Sequence, residues 1–138
     1  MKKLLITSLL LFAGIYSSYA QTPSLNKQQT IDYISDLYRK SFTMEAGQSV
    51  FGVSLEGKVF SVSLVSGKKF RTDLSTLNLL VVKKHEGYNS FYISSLPDDK
   101  VSILWFISPE TDANRLKKAL EHLIELVKAE KSTDPFDN

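Results

Sequence analysis

The chain has 138 residues, of which 43% are hydrophobic and 23% charged, and its mean hydropathy is −0.09. This composition is typical of one globular domain, and it excludes a disordered chain and a membrane protein with several spans. No cysteine is present, which excludes disulfides, thiolate metal sites, cysteine nucleophiles and lipid anchors on cysteine. His85 and His122 supply the only imidazoles.

Residues 1–20 have the pattern of a secretory signal peptide. Lys2 and Lys3 give a basic start, residues 4–15 are almost continuously apolar, and Ser18 and Ala20 are small residues placed as at a cleavage site. The alternative is an anchoring helix, but the apolar run is only about 12 residues long, whereas a span takes about 20. We therefore expect cleavage after Ala20, a periplasmic or extracellular location, and no transmembrane segment in the processed chain.

The processed chain is expected to be a single domain, residues 21–138, with a polar tail from about residue 131. Cleavage removes two lysines and no acid from the 17 basic and 15 acidic residues, so the remaining domain has a net charge of zero. A neutral domain is a poor candidate for nucleic-acid binding, which depends on neutralising phosphates. We therefore expect no nucleic-acid partner.

An amphipathic helix is predicted at residues 26–41, capped by Ser24 or Asn26, with an apolar stripe at three- and four-residue spacing that consists of Ile31, Ile34, Leu37 and Tyr38. From Ser49 the hydrophobic period changes to two, and turn signals divide the region into about six strands. The predicted strands are residues 49–56, 60–64, 68–72, 79–84, 90–94 and 101–107, with one possible helical turn at residues 73–76.

A long final helix is predicted from Ser108-Pro109-Glu110 to about Ala129. A capping hydroxyl, a proline at the first helical position and an acid in the first turn are typical of a helix start. The spacing predicts two ion pairs on its polar side, Asp112 with Arg115 and Lys117 with Glu121. Its apolar face is predicted to consist of Ala113, Leu116, Leu120, Leu123, Ile124 and Val127.

Two amphipathic helices around a run of tightly connected strands predict an α+β domain, with an antiparallel meander on which both helices pack. The export signal, the Lys-Gln-Gln-Thr-Ile-Asp-Tyr-Ile segment at 27–34 and the Arg-Leu-Lys-Lys-Ala-Leu-Glu-His-Leu-Ile segment at 115–124, before Asp134-Pro135-Phe136, resemble a group of small, uncharacterised bacterial exported proteins. The meander followed by one C-terminal helix is also similar to a pleckstrin-homology-like barrel. Neither resemblance implies an activity or a catalytic residue.

One cluster of basic residues is a candidate anion-binding site. In a simple meander, alternate turns lie at the same end of the sheet, so the turns at Ser66-Gly67 and at 85–89 would be neighbours, beside the start of the final helix. A phosphate, a carboxylate or an acidic headgroup would suit such a site. The alternative is that nearby acids or water neutralise these charges. The candidate residues are Lys68, Lys69, Arg71, Lys83, Lys84 and His85.

The outer face of the sheet is a second candidate surface. Phe91 or Tyr92, together with Leu104 and Phe106, would form an apolar patch for a partner or a hydrophobic ligand, unless the first helix covers it.

The sequence contains no arrangement of residues that specifies a catalytic, metal or cofactor site, so none is assigned. We expect an exported, non-catalytic binding or interaction module of the cell envelope, with an unknown protein or an anionic small molecule as its partner. The alternatives are a hydrolase-type enzyme whose site is not visible in the sequence, and a carrier of a hydrophobic ligand.

Overall fold

A computed structural model of the chain describes residues 24–42, 49–96 and 107–130. Its elements are helix α1 (Lys27–Ser41), strands β1 (Val50–Glu56), β2 (Val59–Leu64) and β3 (Lys69–Asp73), a 3₁₀ turn (Leu74–Thr76), strands β4 (Leu79–Lys84) and β5 (Phe91–Leu96), and helix α2 (Glu110–Ala129). The α+β class is therefore confirmed. The predicted signal peptide, the predicted sixth strand apart from Ile107, and the predicted tail lie outside the described residues.

Helix α1 begins with a capping box. The Asn26 side chain accepts a hydrogen bond from the Gln29 backbone N–H at 2.9 Å, and the Gln29 side chain accepts one from the Asn26 N–H at 3.0 Å. Two N–H groups that have no partner within the helix are thereby satisfied, which explains why the helix begins here. All four predicted stripe residues are buried.

The strands form two antiparallel sheets rather than one meander. The order in the first sheet is β1-β2-β3, and β4 pairs only with β5 among the described strands. The 3₁₀ turn between β3 and β4 interrupts the ladder, because its buried residue Leu74 and the following residue Leu77 pack into the core. Ile107 forms antiparallel bridges with both Phe42 and Phe91, so it joins the end of α1 to β5.

The predicted start of the final helix is wrong in one detail. Pro109 is the N-cap residue, Glu110 is the first helical residue, and no side chain caps the helix. Ser108 instead donates its backbone N–H to the Ser41 carbonyl at 2.9 Å, which ties this segment to the end of α1. The predicted apolar face of α2 is fully buried, and the helix ends at Ala129 as expected.

The core lies between α2, α1 and the inner faces of the two sheets. The largest completely buried side chains come from every layer and include Tyr38, Phe60, Leu80, Ile93, Leu116 and Leu120. Neither described helix combines the length and the apolar character needed to cross a membrane. Helix α1 packs against both α2 and β1, and α2 also contacts β4 and β5.

Candidate functional site

A groove of about 250 Å³ lies on the surface where α1 meets α2. The α1 side contributes Leu25, just before the helix, and Tyr33, and these two side chains are 42% and 40% exposed. Ala119 of α2, which is 9% exposed, also lines the groove. Exposed apolar side chains around a concavity are a feature of binding surfaces.

The α2 side of the groove carries positive charge. Arg115, Lys118 and His122 follow one another at three- and four-residue spacing, so they lie along one face of the helix. The Arg115 guanidinium donates to Asp112 at 3.1 Å, which partly neutralises one end of the groove. Among the described residues, Lys118 has no ion-pair partner, and its side chain is exposed.

His122 fastens the segment before α1 to α2. Its Nε2 lies 2.7 Å from the Leu25 carbonyl oxygen, across 97 residues of sequence. A carbonyl oxygen only accepts, so Nε2 carries the proton and donates it to this bond. The His122 side chain is half-buried.

Some polar groups of the groove already form hydrogen bonds with nearby backbone atoms. The Thr30 hydroxyl donates to the Asn26 carbonyl at 2.8 Å, within the first turn of α1. The His122 ring is already bonded to Leu25. The groove therefore combines apolar surface with cationic charge.

The predicted anion-binding residues are divided between the two sheets. Lys68 immediately precedes β3, and its Nζ lies 4.8 Å from the centre of the Phe70 ring. Lys69 pairs with Ser63 of β2 and is exposed. Arg71 donates to Glu56 at 3.2 Å, so a carboxylate of the same sheet neutralises it.

The other three predicted residues lie at the end of β4 and just after it. Lys83 and Lys84 pair with Tyr92 and Phe91 of β5. The His85 ring is half-buried and packs edge-on against Tyr88, with ring centres 4.7 Å apart. No described pairing joins β3 to β4, so an anion site shared by all six residues stays a prediction.

The second predicted surface is only partly within the described residues. Phe91 is half-buried and packs against the core, whereas Leu104 and Phe106 lie outside the described residues. Helix α1 packs on α2 and β1. Whether an apolar patch forms on the outer sheet face stays a prediction.

The Tyr38 and Asp73 side chains have clearly displaced pKa values, and neither residue lines the groove. Burial raises the pKa of the Tyr38 hydroxyl far above its ordinary value. Hydrogen bonds from the Ser75 hydroxyl and backbone N–H lower the pKa of the Asp73 carboxyl. Both effects have structural causes, core packing and the cap of the 3₁₀ turn.

Within the described ranges, no group of three or more His, Asp or Glu residues could hold a metal ion.

Comparisons with protein-family profiles, with curated proteins and with solved structures found no match to this chain. The groove is therefore described from its own geometry. Sequence reasoning missed it, although the spacing of Arg115, Lys118 and His122 shows that they share one helix face. The contribution of Leu25 and Tyr33 could not be found in this way, because only helix packing brings them beside α2.

Proposed function

We propose that this protein is an exported, non-catalytic binding module of the cell envelope and that its binding surface is the groove between α1 and α2. The observation that carries the proposal is the pairing of exposed apolar side chains, Leu25 and Tyr33, with the cations Arg115 and Lys118 around one concavity. Apolar anchors beside matched charge are the usual means of specific recognition at protein interfaces.

The chemistry of the groove favours a protein segment that carries carboxylates and at least one apolar or aromatic side chain. Lys118 would attract a carboxylate, since no acidic side chain among the described residues pairs with it. Tyr33 presents an aromatic ring with a polar end, which suits contact with both apolar and polar groups. The Thr30 hydroxyl and His122 Nε2 already form local hydrogen bonds, which supports binding rather than bond-making chemistry.

The proposal is tested by immobilising the chain and exposing it to an extract of the cell envelope, followed by quantitative mass spectrometry of the retained proteins. Lys118→Glu reverses the charge in the groove, and Tyr33→Ser removes its aromatic ring. The matched control is Lys58→Glu, which makes the same charge change at an exposed turn between β1 and β2.

The expected result is one set of proteins retained by the wild type and by Lys58→Glu, and lost with both groove variants. Added salt should weaken the retention, because exposed charges are screened. Equal retention by the wild type and by Lys118→Glu would contradict the proposal, as would retention no greater than that of the bare resin.

We further propose that residues 101–107 form a sixth strand and that the completed sheet is pleckstrin-homology-like. The supporting observation is that Ile107, the last residue of this segment, forms antiparallel bridges with Phe42 and with Phe91 of β5. Amide hydrogen exchange checks the strand. Slow exchange across 101–106 is expected, because ladder hydrogen bonds protect amides, and fast exchange would rule the strand out.

A further inference from the structure

A second apolar surface lies at one end of the first sheet. It is formed by two side chains that do not belong to the core. Phe51 and Val65 are 73% and 61% exposed, the highest values among the large hydrophobic side chains of the described residues. They are neighbours, because Val50 pairs with Leu64 and the Val65 N–H donates to the Ser49 carbonyl at 2.9 Å. We call this end, residues 49–52 and 64–69, the sheet tip.

The outward position of Phe51 is built into the strand. Val50 is buried and pairs with Leu64, and the next pairing is Gly52 with Ser63, so Phe51 is the extra residue of a β-bulge. A bulge redirects a side chain and disrupts the ladder locally. The fold thus holds a phenyl ring in water where it adds nothing to core packing, and an exposed aromatic residue of this kind indicates a contact surface.

The charge at the sheet tip is positive. Lys68 and Lys69 lie in the tip, and its described residues include no acid. The acids of this sheet, Glu56 and Asp73, are at the opposite end, where both adjoin Val59. Asp73 is four residues beyond Lys69 on β3, which corresponds to about 13 Å.

We propose that the sheet tip docks on the surface of a lipid bilayer that contains anionic phospholipid. Phe51 and Val65 would enter the headgroup boundary, and Lys68 and Lys69 would bind the lipid phosphates. A stable protein interface takes roughly 1,200 Å² or more of buried surface, which two apolar side chains do not supply. The free energy of binding to a membrane surface, in contrast, is the sum of contributions from single apolar side chains and single cations. This inference does not depend on the groove between α1 and α2.

The absence of cysteine from the chain allows a local test. A polarity-sensitive fluorophore is attached to a single cysteine in the processed chain, either at the tip (Ser66→Cys) or at the exposed residue just before β4 (Asn78→Cys). The probes are vesicles of phosphatidylcholine alone or mixed with phosphatidylglycerol. The expected result is a blue-shifted, brighter emission only for the tip label and only with phosphatidylglycerol.

Two variants in the Ser66→Cys background examine the two kinds of contact. Phe51→Ser should weaken binding about tenfold, and Lys69→Gln about fivefold. Their matched controls, Leu79→Ser and Lys58→Gln, remove an exposed apolar side chain and a lysine elsewhere and should bind like the parent. The proposal is overturned if both labels respond alike, if anionic lipid has no effect, or if the tip variants bind like their controls.

Discussion

The Ser41 hydroxyl, at the end of α1, donates a 2.5 Å hydrogen bond to Oδ2 of Asp112, in the first turn of α2. The other Asp112 oxygen accepts from Arg115 at 3.1 Å, and the Ser41 carbonyl accepts from the Ser108 N–H. One buried serine therefore joins two helices whose contacting residues are 71 positions apart, and it fixes the end of the groove at which Arg115 lies.

Ser41→Ala should lower the free energy of unfolding by about 1–3 kcal/mol, because a hydrogen bond to a charged group is lost and a partly buried carboxylate loses a partner. Urea denaturation at neutral pH measures the change. Ser66→Ala, at an exposed turn, is the control and should change stability by less than about 0.5 kcal/mol. An unchanged midpoint for Ser41→Ala would mean that this bond does not stabilise the helix pair.

Ser61→Ala should have the opposite effect on stability. Ser61 is 1% exposed, and its hydroxyl has no hydrogen-bond partner among the described residues. Because an unsatisfied buried hydroxyl is unfavourable, we expect its removal to raise the free energy of unfolding by about 1 kcal/mol. Urea denaturation measures this gain in stability. Ser41→Ala is the comparison, because it removes a hydroxyl that does form a hydrogen bond. A loss of stability at Ser61 would reveal a bond that the described residues do not provide.

The Asp73 cap predicts a pH-dependent contribution to stability. Its pKa is lowered in the folded protein, so its stabilising effect is present above the ordinary carboxyl value of 3.8 and is lost as the pH falls through the lower folded value. The stability difference between the wild type and Asp73→Ala should therefore be largest at neutral pH and should shrink in acid. Unfolding curves at several pH values measure it. Asp73→Asn keeps a capping side chain without a titrating group and should remove this pH dependence.

Tyr38 predicts a loss of stability in alkali. Burial raises its folded pKa above the ordinary value of 10.0, so the hydroxyl ionises first in the unfolded chain. Its contribution is complete below about pH 10 and falls as the pH rises further, toward the raised folded value. As the pH is raised past about 10, the free energy of unfolding should decrease more for the wild type than for Tyr38→Phe, which lacks the titrating hydroxyl. Parallel decreases would contradict the assignment.

The export prediction is checked by intact-mass measurement of the chain recovered outside the cytoplasm. The expected N-terminal residue is Gln21, because cleavage follows Ala20. Ala20→Arg should block processing, since a large charged side chain does not suit the cleavage position, whereas Thr22→Ala should leave it unchanged. A recovered chain that keeps residues 1–20 would rule out the cleaved signal.

Much of the secondary structure follows from local patterns. The stripe of α1, the apolar face of α2 and the glycine turns are confirmed, and Gly57, Gly67 and Gly87 all have positive φ angles. The predicted pairs Asp112–Arg115 and Lys117–Glu121 are also present, at 3.1 and 2.8 Å. These features depend on residues a few positions apart, and periodicity and turn chemistry report such contacts directly.

The amino-acid sequence by itself determined the α+β class, the described helices and strands, and the apolar faces of the two helices. Only the tertiary structure decided that the strands divide into two sheets, that Leu25 and Tyr33 meet the cationic face of α2, and that Ser41 bonds to Asp112. The reason is that hydrophobic period and turn residues specify local geometry, whereas contacts between distant segments depend on how complete elements pack against one another.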